Sequence, residues 1–479
     1  MLNLTIKNAG KTYNIELEDN DLGSTLKNKI EELTNIPRDR QKILIKGGKL
    51  NDEDVVSKLN LKSPVMVLGT PEVKLFKPIE KPVFLEDLNL NQLFKVSNEP
   101  SGLVNLGNTC YLNSSLQTLY QIEDLASKIK DFKSSGNSSD GLVFSLKNVF
   151  SQMEKKQESI TPSLFLSLFR SLYPQFAEQS NGIYKQQDAE EAFSQILSSL
   201  KTSLKIDSLF EIQFNVKTKC LALPDDVSYS IEDSFKLNCH IDIKTNFLRD
   251  GILAGLTESI TKFNDTLQEN TEYEISKTIT RLPKYLTIHF IRFFWRRDIN
   301  KKSKILRRVQ FPFELDLSEM LDESIKTEKI QNRDKIRKIE KENLELIREF
   351  KKTKNGANGA NGNNDGLTPL EIQEEEELKI ASIKSKFKDD LNSVINTDGI
   401  TENPSSVFQL NAIITHQGAS ADGGHYKAYV KDVNDLDGEN WFCFNDDKVS
   451  NINKEKIESL AGGGESDSAL LLIYKGLGL

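Results

Sequence analysis

The sequence predicts an α+β protein in two folded parts, a small N-terminal unit and a larger one built for thiol chemistry. Three observations predict it. Strand-like alternation surrounds one helical pattern in residues 1–70. A cysteine opens a second helical pattern directly after a loop rich in Gly and Asn. Far downstream, a histidine follows two glycines between two strand-like runs.

In the first part, Leu4 and Ile6 alternate with polar neighbours, and Tyr13, Ile15 and Leu17 do the same beyond the turn at 8–11. This is a hairpin signature. Ser24 can cap a helix whose apolar residues Leu26, Ile30 and Leu33 share one face, and Pro37 stops it. Residues 42–46 read as a strand ended by Gly47 and Gly48, and 65–68 as another. Alternation sends Ile43, Ile45, Val65 and Val67 inward. It leaves Leu44, Met66 and Leu68 on the open face, ringed by Lys42, Lys46 and Lys49. An apolar cluster in a basic ring reads as a docking surface rather than as core.

Residues 71–98 are rich in Pro, Lys and Glu and read as an extended, mobile linker. The composition then turns globular over 99–477, with a break at about 318–402. Within that break, charged stretches at 329–352 and 371–390 flank a Gly/Asn/Ala tract at 355–366. Such a tract cannot bury a core and is expected to be disordered. The flanks have helix-forming composition and are expected to be solvent-exposed helices.

The bulk numbers exclude several classes. Acidic residues number 71 against 63 basic ones, which argues against a nucleic-acid binder. The four cysteines, at 110, 220, 239 and 443, form no C-x-x-C pair and read as reduced thiols. No signal-like opening and no membrane-spanning apolar run is present, so a soluble, intracellular protein without a membrane partner is expected.

The chemistry concentrates at residues 102–117, Gly-Leu-Val-Asn-Leu-Gly-Asn-Thr-Cys-Tyr-Leu-Asn-Ser-Ser-Leu-Gln. Leu112, Leu116 and Leu119 follow Cys110 at helical spacing, which places Cys110 at or near a helix N-terminus. There the helix dipole favours a thiolate and lowers the thiol pKa. Two glycines and two asparagines lead in, a tight loop that can aim amide donors near the sulfur. Nucleophile and oxyanion hole are built together in this way. A buried cysteine at a helix start is the commoner fate of any one cysteine, so a second feature decides. Residues 415–430 carry strand-like ends around a small Gly-rich loop, and His425 opens the second strand directly after Gly423 and Gly424. Residues 441–450 then form an aromatic strand ending in Asn445, Asp446 and Asp447. Antiparallel pairing brings Asn445 beside His425, and a Cys–His pair needs such a third group to fix the imidazole tautomer.

At these residues the chain resembles the ubiquitin-specific protease family, whose fold is papain-like, with fingers, palm and thumb. Within it the chain is similar to the proteasome-associated members that carry an N-terminal ubiquitin-like domain. The blocks that carry the resemblance are 102–117, 186–191, 281–294, 415–418, 424–426, 444–450 and 461–464. The first part likewise resembles ubiquitin, a β-grasp fold, in its β-β-α-β-β order with Lys-Gly-Gly-Lys at 46–49. Its last strand runs into Gly69-Thr-Pro rather than a cleavable Arg-Gly-Gly, as in a built-in ubiquitin-like domain over 1–70.

The resemblance implies roles by position. Cys110 is the nucleophile, His425 the general base, Asn445 the third member with Asp446 in support, and Asn105 the oxyanion-hole side chain. Asp188 and Glu191 face the basic ubiquitin tail, and Gln187, Gly424 and Tyr426 complete the substrate-binding positions. Loops at 294–308 and 417–424 correspond to switchable covers over that tail. Many relatives hold zinc with paired C-x-x-C motifs. Here Cys220 and Cys239 stand singly, and Cys239-His240 is a ligand pair by type only, so no metal and no cofactor are expected. The implied function is a thiol-dependent deubiquitinase in cytoplasm and nucleus. It trims ubiquitin from conjugates at the proteasome, docked on the regulatory particle through Leu44, Met66 and Leu68. An inactive ubiquitin-binding scaffold of the same fold is the alternative, and the presence of Cys110, His425 and Asn105 favours the enzyme.

Overall fold

The computed structural model describes the chain apart from residues 1, 46–47, 60, 62–63, 70–98, 134–135, 137–139, 297–300, 358–368, 396–398, 421–422 and 436–437. The expected linker therefore lies outside the described residues, as does Lys46. The chain divides into two compact units, Met1–Leu88 and Asn89–Leu479.

In the first unit, β1 (Leu2–Asn8) and β2 (Lys11–Leu17) form an antiparallel hairpin. Ala9 and Gly10, at φ 45° and 82°, supply the left-handed pair that a two-residue hairpin turn requires. Helix α1 (Gly23–Thr34) follows, then β3 (Lys42–Ile45), β4 (Gly48–Lys49) and β5 (Val65–Leu68). The sheet order is β2-β1-β5-β3-β4, with β5 parallel to β1. Two sequence expectations need correction. The helix starts one residue before Ser24, and its N-cap, Leu22, makes no side-chain cap. Gly23 is pressed against Asn51, whose carbonyl would lie 2.1 Å from an added Cβ, so the entry is set by backbone approach. The buried face is Leu26, Ile30 and Thr34, while Leu33 is 44% exposed. The helix ends before Pro37, at Asn35 in the left-handed region. Alternation on β3 and β5 places Ile43, Val65 and Val67 in the core and leaves Ile45 half-buried. On the other face Leu44, Met66 and Leu68 are 58%, 43% and 48% exposed, with Leu44 paired to Met66.

The second unit begins with helices α2 (Cys110–Tyr120), α3 (Glu123–Asp131), α4 (Asp140–Met153), α5 (Ser163–Leu172) and α6 (Ala189–Leu204). Strands β6 (Ile212–Cys220), β7 (Val227–Ser234), β8 (Leu237–Cys239), β9 (Thr257–Asn264), β10 (Glu269–Arg281) and β11 (Tyr285–Phe290) follow. A small hairpin, β12 (Phe293–Arg296) and β13 (Lys301–Lys304), precedes β14 (Glu314–Asp316). Helices α7 (Glu323–Ala357) and α8 (Pro369–Val394) lead to β15 (Val407–Gln417), β16 (His425–Lys431), β17 (Asn440–Asn445), β18 (Lys448–Asn453) and β19 (Ser468–Gly476). One four-stranded antiparallel sheet runs β7-β6-β10-β9. The large sheet runs β8-β11-β19-β15-β16-β17-β18, with β14 added along β15. Residues 469–474 of β19 are all buried, as a central strand covered on both faces must be. On one face Leu112, Leu116, Phe165 and Phe193 of the helices share a core with Ala412, Ile414, Tyr426 and Phe444 of the sheet.

The stretch at 318–402 differs from expectation. It does form helices, but their bases are packed. Ile336, Ile339, Leu391 and Ile395 bury themselves against Val407 and Leu477. Lys329 Nζ donates to Glu402 Oε1 and to Asn403 O, each at 2.7 Å, and Arg333 pairs with Asp316 at 3.0 Å. The apolar residues stand three or four apart within dense charge, a seam too sparse to register in composition. Farther along, Leu344 and Leu378 are exposed. Of the Gly/Asn/Ala tract, residues 355–357 continue α7, and 358–366 lie outside the described residues.

Candidate active site

Residues 102–109 deliver Cys110 to the first position of α2. Gly102 is pressed on the turn after β17: a Cβ there would lie 2.2 Å from Asp447 O. Leu103 N–H donates to Asp446 O at 2.9 Å, so the cysteine loop and that turn form one unit. Gly107 and Asn108 take positive φ, 96° and 54°, and swing the chain into the helix. Asn105 Oδ1 accepts from the N–H groups of Gly107 (3.0 Å) and Thr109 (3.2 Å), which locks its carboxamide at the loop mouth. The Cys110 side is 3% exposed, and the Tyr426 main-chain N–H faces its sulfur. Burial pushes the thiol up to about 11, against the pull of the Tyr426, Tyr111 and Cys110 N–H groups, while the Asp446 carboxylate adds to the push. Desolvation thus opposes the thiolate expected at the helix N-terminus, which gives a base a role in drawing off the proton.

His425 opens β16, and its Nε2 stands 2.5 Å from Asn445 Oδ1 at the end of β17. An amide oxygen only accepts, so the ring carries its proton on Nε2 and presents Nδ1 as the basic nitrogen. Asp446 has a different partner from the one expected. At φ 55° it turns away from the imidazole. Its Oδ1 accepts from Asn113 Nδ2 at 2.8 Å and its Oδ2 from Asn105 Nδ2 at 2.9 Å. Asp446 thus holds the Asn105 and Asn113 side chains, not the ring. Asn113 was missed by sequence reasoning. The available signal was an asparagine one helical turn after Cys110 on a helix that is buried almost throughout.

Asp188 caps α6 through Oδ1, which accepts from Glu190 N–H at 2.9 Å, and its Oδ2 pairs with Lys302 Nζ at 3.1 Å. Glu191 has its carboxyl raised by burial first, then by Asp188, with Lys302 opposing. Gln187 is half-buried in the lead into α6. Lys302 lies on the β12–β13 hairpin, whose further attachments include a Ser303–Ser420 bridge and a bond from Lys304 N–H to Ala419 O at 3.1 Å. The two loops expected as covers therefore touch each other, and one also grips the acidic end of α6. In the sequence Lys302 is one of several basic residues in the 294–308 loop, and nothing local marks this pairing. Gly424 has φ 128°, and a Cβ there would lie 2.3 Å from Gln417 O, so only glycine fits beside His425. Tyr426 is buried, its ring 4.8 Å from that of His416. Leu44, Met66 and Leu68 belong to the other unit. Cys239 packs against Gly251, and burial pushes its thiol up to about 12, a core role. Among the described residues no three His, Cys, Asp or Glu side chains gather as metal ligands do.

Residues 101–474 match the family model described as ubiquitin carboxyl-terminal hydrolase, and residues 4–68 match that of the ubiquitin family. The chain is 38% identical to ubiquitin carboxyl-terminal hydrolase 6 of Schizosaccharomyces pombe, over 99% of both chains. It is 32% identical to ubiquitin carboxyl-terminal hydrolase 7 of Arabidopsis thaliana, again over 99% of both. Identity to ubiquitin carboxyl-terminal hydrolase 14 of Caenorhabditis elegans is 30%, over 98% of this chain and 93% of the relative.

Proposed function

The chain belongs to the ubiquitin carboxyl-terminal hydrolase family and is a deubiquitinating hydrolase, and from that premise we propose that Cys110 cleaves the bond after the C-terminal glycine of ubiquitin in conjugates held at the proteasome. The observation that carries the chemistry is His425 oriented by Asn445 at 2.5 Å, directly before Tyr426, whose main-chain N–H faces the buried Cys110 sulfur. His425 Nδ1 takes the thiol proton, and the sulfur attacks the glycine carbonyl carbon. The oxyanion forms towards Asn105, whose carboxamide is already fixed. The imidazolium returns its proton to the departing amine, leaving a thioester that a water, activated by the same nitrogen, hydrolyses. Asp188 and Glu191 supply negative charge for the basic tail of ubiquitin. The proteasome assignment, with cytoplasm and nucleus as its place, is supported by the ubiquitin-like unit and its exposed Leu44, Met66 and Leu68. The test uses a fluorogenic amide at the ubiquitin C-terminus. The native chain should turn it over, and Cys110→Ala should bind ubiquitin without turnover. Appreciable turnover by the Ala variant would overturn the assignment.

A further inference from the structure

A small exposed hairpin is pinned beside the nucleophile loop. Gln179–Ser180 pairs with Ile183–Tyr184 around Asn181 and Gly182, whose φ values of 53° and 77° are the left-handed pair of a two-residue turn. Lys185 N–H donates to Glu178 O at 2.9 Å, which turns the Tyr184 C=O to the outer edge of the hairpin. There it accepts from Asn108 Nδ2 at 2.9 Å. Asn108 lies two residues before Cys110, a reach of at most about 7 Å. The Tyr184 ring is clamped as well: the Arg170 guanidinium of α5 sits 3.6 Å from its centre, and Arg170 Nε donates to Phe176 O at 3.2 Å. Side chains alternate along a strand, so Ile183 faces away from that clamp, and it is 65% exposed. Glu178 and Lys185 pair at 3.2 Å at the base of the hairpin and offset each other's charge. What the hairpin offers next to the nucleophile is therefore one apolar side chain on a fixed turn.

Cys110 has two flanks. On one, Asp188 starts α6 and holds Lys302 of the β12–β13 hairpin, which bridges to the 417–424 loop through Ser303 and Ser420. That flank carries both covers and the carboxylates that suit a basic tail. On the other, Gly107, Asn108 and residues 179–183 are exposed. A bond held at the sulfur has its acyl chain on one side and its amine on the other, so the chain that bears the amine lies over the open flank. We propose that Ile183 is a specificity-determining contact for the protein that leaves: it packs against an apolar side chain next to the modified lysine of a ubiquitin conjugate. This rests on the deubiquitinase function above, and it concerns the amine side of the bond, not the ubiquitin side.

Ile183→Ser removes the apolar contact, and Ile183→Val keeps most of it. Three probes separate the flanks. The first is the fluorogenic ubiquitin amide, whose leaving amine carries no peptide. The second is ubiquitin joined to the lysine of a labelled peptide with Leu on both sides of that lysine, and the third is the same conjugate with Gly in place of Leu. The native chain should cleave the Leu conjugate with a kcat/KM about three- to tenfold above that for the Gly conjugate, the scale of one partly buried aliphatic side chain. Ile183→Ser should erase that preference and Ile183→Val should retain it. Both variants should hydrolyse the amide at the native rate and melt at the native temperature. Equal rates on the two conjugates in the native chain overturn the proposal, as does a preference that survives in Ile183→Ser. A matching loss on the amide would set Ile183 against ubiquitin itself, and a lowered melting temperature would make it a packing element; either result overturns the proposal. A native chain that cleaves none of the three probes, while iodoacetamide still alkylates Cys110, overturns the function itself rather than the placing of this residue.

Discussion

Asn105 Nδ2 donates to Asp446 Oδ2 at 2.9 Å, across 341 residues of sequence. The contact joins Asn105 to the residue that follows Asn445, and it separates two neighbouring residues by partner. In the proposed mechanism Asn445 orients the base, and Asp446 orients the oxyanion donor. Asn105→Ala should therefore lower kcat by about 10²–10³, as loss of one such donor does. Asp446→Ala should lower kcat in the same way but less, and the double variant should be no worse than Asn105→Ala alone. Asn445→Ala should fall by at least about 10², because no second group stands ready to hold the ring. Iodoacetamide alkylation of Cys110 separates the tasks. It should slow in Asn445→Ala and should not slow in Asp446→Ala, where loss of a carboxylate that raises the thiol favours the thiolate, and the reverse pattern would refute the division.

The buried thiol carries a pH prediction. Burial holds Cys110 up to about 11, so at neutral pH the free enzyme is almost wholly in the thiol form. The thiolate fraction grows as pH rises towards that value. Alkylation at Cys110 should accelerate steadily from pH 7 to pH 10, followed by mass spectrometry of the labelled peptide. A rate that levels off below pH 7 would mean a thiolate paired with His425 in the resting enzyme. Cys239, pushed up to about 12 and buried, should remain unlabelled over the same range.

What the sequence made legible is what short-range chemistry determines. The hairpin at Ala9–Gly10, the helix opened by Cys110 and the alternation at 65–68 follow from local pattern, and all three stand in the fold. So does the meeting of His425 and Asn445, because antiparallel strands leave few registers. The illegible parts are balances and long-range pairings. Whether the dipole or burial governs Cys110 depends on how deeply Tyr426 and its neighbours cover the sulfur. Lys302 was one lysine among several until the fold set it against Asp188. The seam of Ile336, Ile339, Leu391 and Ile395 was hidden because its partners, Val407 and Leu477, lie outside the insert.

The Lys302–Asp188 pair should act as an internal competitor for the basic ubiquitin tail. Both side chains are partly exposed, and such pairs contribute about 0.2–1 kcal/mol. Lys302→Gln should lower KM for the ubiquitin amide about two- to fivefold at low salt. The gain should fade at high ionic strength, where exposed charges are screened. In an Asp188→Asn background the same substitution should have no effect. A persistent gain there would show that the lysine acts through some other carboxylate.

The insert should divide into a packed base and an expendable tip. Leu391→Ala removes a side chain buried with Ile336, Val407 and Leu477, and should cost about 2–4 kcal/mol in denaturant unfolding. Deleting residues 358–366 should leave melting temperature and ubiquitin hydrolysis nearly unchanged, since shortening a connection alters closure entropy by under about 1 kcal/mol. Equal losses from both changes would mean that the tip contributes to the same packing.

The ubiquitin-like unit supplies the last prediction. Leu44 pairs with Met66 across β3 and β5, and together with Leu68 they leave an apolar face beside Lys42 and Lys49. Leu44 is more than half exposed, so Leu44→Glu leaves the hydrophobic core of that unit untouched. In a docking interface it would bury a charge without a partner, a change that costs several kcal/mol. Co-purification with the proteasome should therefore fall strongly. The melting temperature of the unit and hydrolysis of the ubiquitin amide by the isolated enzyme should stay native. If the face served the enzyme's own second unit instead, the substitution would alter hydrolysis with no proteasome present and spare co-purification. Both measurements on the one variant separate docking from intramolecular packing.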